Sequence, residues 1–148
     1  MENRIEYAYR LETRRIKEDT FPYSNQTLSS PGDVVNFTRT LENSDIEKFL
    51  VLYLNTKNRL ICIQVTQGTI DHNAVYPREV IKHALLASAA SILLVHNHPS
   101  GIPDPSPEDK NLTASIKAAC TLLDIRLLDH VIIGEEGKHF SFQEARIL

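Results

Sequence analysis

The chain has 148 residues, of which 42% are hydrophobic and 24% charged, and a formal charge of −3. That length supports one domain with a core of its own, and the acidic balance argues against a domain that grips nucleic acid through its phosphates. No apolar run approaches the ~20 residues of a membrane span, and the charged start MENRIEYAYRLETRRIKED lacks the apolar segment of a signal peptide, so a cytoplasmic protein is expected.

Residues 4–17 alternate loosely, with Ile5, Tyr7, Tyr9 and Leu11 on one side, and predict an edge strand. The basic residues Arg14, Arg15 and Lys17 near its end read as a solvated edge. FPYSNQTLSS is a loop. Ser30-Pro31 then opens a helix as N-cap and first helical residue, with Val34, Val35, Phe37 and Leu41 as its buried face. KFLVLYL (48–54), the turn NTKN and RLICIQVTQG (59–68) predict a hairpin, ending in a turn at Gly68-Thr69. A second helix starts at Pro77 and runs through PREVIKHALLASAA. It leads into SILLVHNH (91–98), whose unbroken apolar run predicts a strand buried on both faces.

Ser106-Pro107 repeats the capping signal and opens a long helix to about Leu123. RLLDHVIIG and KHFSF, joined by EEG, close the chain as strands. Helices and strands mix without strict alternation, which predicts an α/β sandwich around a mixed β-sheet. Cys62 and Cys120 both sit in apolar sequence and read as buried thiols.

The segment HNHPSGIPDPSPED (96–109) carries the chemistry. On a strand, residues i and i+2 face the same way, so His96 and His98 project together while Asn97 turns away. Such a pair can present two imidazoles to one zinc, which needs a third protein ligand and an open position for water. Asp109 is the candidate third ligand. It lies in the first turn of the following helix, where side chains lean back toward the helix N-terminus. Pro99, Pro103, Pro105 and Pro107 stiffen the loop between, and Gly101 allows a tight reversal. Ser106-x-x-Asp109 is equally a helix cap, with an acidic residue favoured by the helix dipole.

His96-x-His98-Pro99 followed by Ser106-x-x-Asp109 resembles the zinc motif of the JAB1/MPN/Mov34 (JAMM) metalloenzymes. HNHPSG…PSPED with LLDHVIIG after it resembles the RadC family in particular, over about residues 30–148, leaving residues 1–29 as an N-terminal extension. The resemblance implies a JAB/MPN-like, cytidine deaminase-like sandwich. It also implies Zn²⁺ on His96, His98 and Asp109, Ser106 as oxyanion donor, and an upstream glutamate as general acid/base. That glutamate matches Glu47, just before KFLVLYL, with Glu42 as second choice. The implied reaction is hydrolysis of an amide or isopeptide bond in a peptide or protein substrate.

The competing reading is a DNA repair-associated role without peptide hydrolysis, as the RadC name suggests. Longer RadC proteins carry a helix-hairpin-helix region, and about thirty residues ahead of the matched region are too few for one, so nucleic acid is not the favoured partner. An HNH nuclease does not fit, because that motif is not contiguous. A zinc deaminase does not fit either, since neither Cys-x-x-Cys nor His-x-Glu occurs. Asp129-His130 in LLDH admits two roles, orienting a ligand or packing a strand. His72, His83 and His139 have no partner spacing and read as surface or packing residues.

Overall fold

The computed structural model describes residues 27–68 and 75–148. The predicted edge strand at 4–17, the basic residues Arg14, Arg15 and Lys17, most of the following loop, Thr69 and His72 lie outside the described residues. The elements run α1 (Pro31–Phe37), a 3₁₀ turn (Arg39–Leu41), β1 (Lys48–Leu54), β2 (Leu60–Gln67), α2 (Pro77–Ala87), β3 (Ser91–Asn97), α3 (Pro107–Leu122), β4 (Arg126–Ile133) and β5 (His139–Ser141).

Among the described residues, five strands form one mixed sheet in the order β2-β1-β3-β4-β5. Only β3 and β4 pair in parallel, with α3 as their crossover; the other neighbours are antiparallel. The fold is therefore the α/β class that the sequence predicts. β1 and β3 lie at the centre and are buried almost throughout, which accounts for their unbroken apolar sequences.

Strand alternation sorts these residues into two cores. Leu50, Leu52, Leu54, Leu93 and Val95 pack with Val34 and Leu41 on the α1 face. Phe49, Val51, Tyr53, Ile92 and Leu94 pack with Val80 and Ala84 of α2 and Ile116 and Cys120 of α3 on the other. Continuing the alternation along β3 puts His96 on the α3 face and Asn97 on the α1 face. α3 itself is anchored by a buried stripe of Thr113, Ile116 and Cys120, at spacings of three and four residues. Asp109 lies one turn ahead of Thr113, at the head of that stripe.

A bulge in β4 completes the arrangement. Ile92 pairs with Leu127 but Leu93 pairs with Asp129, so one extra residue enters β4. Leu127 and Leu128 contribute to opposite cores. Strict alternation would then turn His130 to the α1 face with Leu128. The extra residue reverses the phase and turns His130 toward His96 and α3.

Two expectations need correction. The second helix stops at Ala87 rather than running on through Ala90, because Ser88 takes a left-handed conformation (φ 53°) that ends it and turns the chain into β3. Cys62 is half-buried rather than buried, since it lies on β2, the outermost strand among the described residues, whereas Cys120 is buried in the α3 stripe. Among the described residues, no helix is long and apolar enough to cross a membrane.

Candidate metal centre

The end of β3 and the start of α3 bring His96, His98 and Asp109 together. One ligand atom from each lies within 4.8 Å of the others. His96 Nε2 is 3.2 Å from Asp109 Oδ1, and His98 Nε2 is 3.5 Å from Asp109 Oδ2. The two Nε2 atoms are 2.9 Å apart. His96 is buried, while His98 and Asp109 are part-exposed, so the cluster opens on one side.

The loop from 98 to 106 places these groups. The His98 N–H donates to the Ile133 carbonyl at 3.0 Å, tying the end of β3 to the end of β4. The chain then reverses at Gly101 (φ 79°), and the Gly101 carbonyl accepts from the Glu135 N–H. Ser106 caps α3: its Oγ accepts from the Asp109 N–H at 3.0 Å, and its own N–H donates to Asp109 Oδ2 at 2.8 Å. The Ser106 hydroxyl also donates to Asp109 Oδ2 at 2.6 Å. Asp109 therefore serves the capping box and the candidate ligand set at once.

Each imidazole has a partner on its Nδ1. His98 Nδ1 lies 2.8 Å from the Ile102 carbonyl, which can only accept, so Nδ1 carries the proton there and Nε2 presents a lone pair when the ring is neutral. His96 Nδ1 lies 2.8 Å from His130 Nε2, and His130 Nδ1 lies 2.6 Å from Thr113 Oγ1. Phe49 stacks on His96 and Phe142 on His130. Asp129 is not part of the cluster. It accepts from the Ser141 hydroxyl at 2.6 Å and from the His130 and Gln143 amides, which fixes the corner after β5. Burial pushes its carboxyl upward from the usual range.

Burial also pushes Asp109 upward, but the hydrogen bonds to His96 and His98 outweigh it and hold the carboxyl well below the ordinary carboxylate range. The same contact with Asp109 raises His98, with burial opposing it. His130 is pushed the other way, since full burial holds it neutral.

The donor set suits a divalent transition metal. Two imidazole nitrogens, which are borderline donors, and a harder carboxylate oxygen make a set that such an ion takes. Two Nε2 lone pairs facing each other at 2.9 Å beside a carboxylate repel unless a proton or a metal cation lies among them.

Glu47 directly precedes β1. Phe49 pairs with His96, so continuing that register by two residues brings Glu47 opposite His98. Its backbone carbonyl accepts from the Gly68 N–H at 2.9 Å, and its charge reaches His98. Glu42 is used elsewhere, since its Oε1 accepts from the Gly137 N–H at 2.8 Å in the β4–β5 turn. His83 and His139 lie outside the cluster, bonded locally to the Glu79 and Gly137 carbonyls. Thr113, Phe49 and Phe142 touch the centre without having stood out in the sequence. For Thr113 the available signal was its position, one turn after Asp109 on a buried helical stripe.

A mixed α/β sheet with a His-x-His strand end and a carboxylate from the next helix defines a JAB-type domain. The chain belongs to the RadC-like JAB domain family, whose profile matches residues 28–147. It is 46% identical over 121 residues to a UPF0758 protein of Janthinobacterium sp. (strain Marseille), covering 80% of this chain and 53% of that one. It is 48% identical over 121 residues to a UPF0758 protein of Histophilus somni (strain 2336), covering 80% and 54%. The match to UPF0758 protein Nmul_A2138 of Nitrosospira multiformis is 43% over 137 residues, covering 91% and 60%. The chain thus spans about half the length of these relatives.

Proposed function

We propose that the chain is a JAMM-type zinc hydrolase of amide or isopeptide bonds, acting on a peptide or protein. The observation that carries this reading is the convergence of His96, His98 and Asp109 within 4.8 Å at an open-sided site. His96 Nε2, His98 Nε2 and one Asp109 oxygen would hold the metal. Zinc, when bound, polarises a carbonyl and lowers the pKa of a water from 15.7 to ~7.

The chain's own residues supply the rest. Glu47, opposite His98, accepts a proton from the attacking water and returns it to the leaving amine. The Ser106 hydroxyl donates to the oxyanion that develops on the substrate carbonyl. Its proton points at Asp109 Oδ2 here, so this step includes a rotation of the hydroxyl. Asp109 would act as the carboxylate, the form in which it can ligate.

An acidic groove beside the site supports a peptide over a nucleic acid. Glu42, Asp45, Glu135 and Glu136 line it with Pro99, the residue after His98. A phosphate backbone would meet like charge there.

Elemental analysis of protein purified without a metal-affinity tag is expected to find about one zinc per chain. The double variant His96→Ala/His98→Ala is expected to lose it. Full zinc in that variant places the metal elsewhere and ends this reading.

A further inference from the structure

His96, His130 and Thr113 form a buried hydrogen-bond chain that starts and ends on the same residue. His96 Nε2 faces Asp109 Oδ1 at 3.2 Å, His96 Nδ1 faces His130 Nε2 at 2.8 Å, and His130 Nδ1 faces Thr113 Oγ1 at 2.6 Å. The Thr113 hydroxyl in turn reaches the backbone carbonyl of Asp109 at 2.5 Å. His96, Thr113 and His130 are all buried, so this chain of bonds has no water to substitute for a missing partner.

We propose that Thr113 and His130 are positioning residues that set which nitrogen of His96 faces the metal site, through a chain that can run in either direction. In the ligating direction, Thr113 donates to the Asp109 carbonyl and accepts from His130 Nδ1–H. His130 Nε2 then accepts from His96 Nδ1–H, and His96 Nε2 turns a lone pair to the site. In the opposite direction, Thr113 donates to His130 Nδ1, His130 Nε2–H donates to His96 Nδ1, and His96 Nε2–H donates to Asp109 Oδ1. That second form cannot ligate. Each ring carries one proton in both directions, and the terminal acceptor is Asp109 either way, by its carbonyl in one and its carboxylate in the other.

Thr113 is the hinge of this device because a hydroxyl both donates and accepts. Removing the hydroxyl strips His130 Nδ1 of its partner in both directions. The charge-assisted bond from His96 Nε2–H to Asp109 then decides the balance, in favour of the form that does not bind metal. The proposal rests on His96 being a metal ligand, but the direction of the chain is measurable without metal.

The test compares the wild-type chain with Thr113→Val, which keeps the shape, and Thr113→Ser, which keeps the hydroxyl. Zn²⁺ affinity is measured by chelator competition, and ¹⁵N shifts of the ring nitrogens report each histidine's protonated nitrogen, with and without Zn²⁺. With Zn²⁺, His96 and His130 are expected to carry their protons on Nδ1. Thr113→Val is expected to bind Zn²⁺ ~10–100-fold more weakly, the usual scale for a partner behind a ligand. Without metal, its His96 proton is expected on Nε2. Thr113→Ser is expected to restore near wild-type affinity. Thr113→Val binding as tightly as wild type, or a wild-type His130 proton on Nε2 with Zn²⁺ bound, overturns the proposal. A wild-type chain that takes up no Zn²⁺ ends the metal reading instead. The positioning role then stands if Thr113→Val moves the His96 and His130 protons in the metal-free protein, and falls if it does not.

Discussion

Asn97 Oδ1 accepts a hydrogen bond from the Lys48 N–H at 2.8 Å, across the antiparallel pair that brings Glu47 opposite His98. The Asn97 amide donates to the carbonyls of Ser44 at 3.3 Å and Ile46 at 3.2 Å. The residue between the two histidines therefore ties down the segment that carries Glu47, while its neighbours face the candidate metal site. Asn97→Ala takes this partner from the Lys48 N–H and the Ser44 carbonyl, while the Ile46 carbonyl keeps the Ser44 hydroxyl at 2.8 Å. It is expected to lower stability by about 1–3 kcal/mol while zinc content stays near wild type. Amide hydrolysis should fall further than zinc occupancy. Loss of zinc in proportion to activity would show that Asn97 supports the ligands rather than the Glu47 segment.

Gly134 at the end of β4 lies under the loop that carries His98. A Cβ there would run into the Gly101 carbonyl and come within 2.9 Å of Pro103 Cδ. Backbone and a proline ring cannot swing aside as a flexible side chain can. Gly134→Ala is expected to displace residues 98–103, costing about 1–3 kcal/mol as other overpacking does. Zn²⁺ affinity should fall with it, because the His98 amide is anchored one residue away at Ile133. Chelator competition together with a thermal melt checks both, and unchanged affinity would mean the loop moves independently of His98.

The apolar runs of β1 and β3, the hairpin, the capped helices and the His-x-His face were legible because each is a local pattern of period two or a short capping motif. The bulge in β4 was not. Nothing in RLLDHVII marks the extra residue between Leu127 and Asp129, yet it decides that His130 turns to His96 rather than to the α1 face. The stop of α2 at Ser88 was hidden for a related reason: ASAA reads as good helix, and the reversal is imposed by the need to enter β3. Cys62 looked buried because its neighbours are apolar, and only the strand order places β2 outermost among the described strands. Ser106 shows the reverse situation, since cap and candidate catalytic group were both readable and the structure satisfies the cap through the same carboxylate.

Metal-free stability should depend on pH through His98 and Asp109. His98 is raised by its bond with Asp109, so its contribution is complete below the unfolded value of ~6.5 and is lost as pH rises through the higher folded value. Asp109 is lowered against its burial, so its contribution is complete above ~3.9 and is lost as pH falls toward the folded value. The pair therefore stabilises most between pH ~4 and ~6.5. Urea midpoints of metal-free wild type and His98→Gln are expected to differ more at pH 5.5 than at pH 8.5. An equal gap at both values would show that the pair does not couple in the folded state.

Glu47 and Asp109 separate proton transfer from metal binding. Glu47 approaches His98 from across the sheet register, whereas Asp109 lies within ligand distance of both histidines. Glu47→Gln preserves size and removes the basic carboxylate, so zinc content and melting temperature should change little. Hydrolysis of an amide substrate should fall ~10²–10⁴-fold, the usual share of general acid–base catalysis. Asp109→Ala removes a ligand and half of the α3 capping box together, so zinc affinity and stability should drop in step. Asp109→Asn, run beside it, keeps a weak ligand and should fall between. Zinc lost from Glu47→Gln as readily as from Asp109→Ala would make Glu47 a ligand or a structural residue, and the general-base role would have to pass to another group.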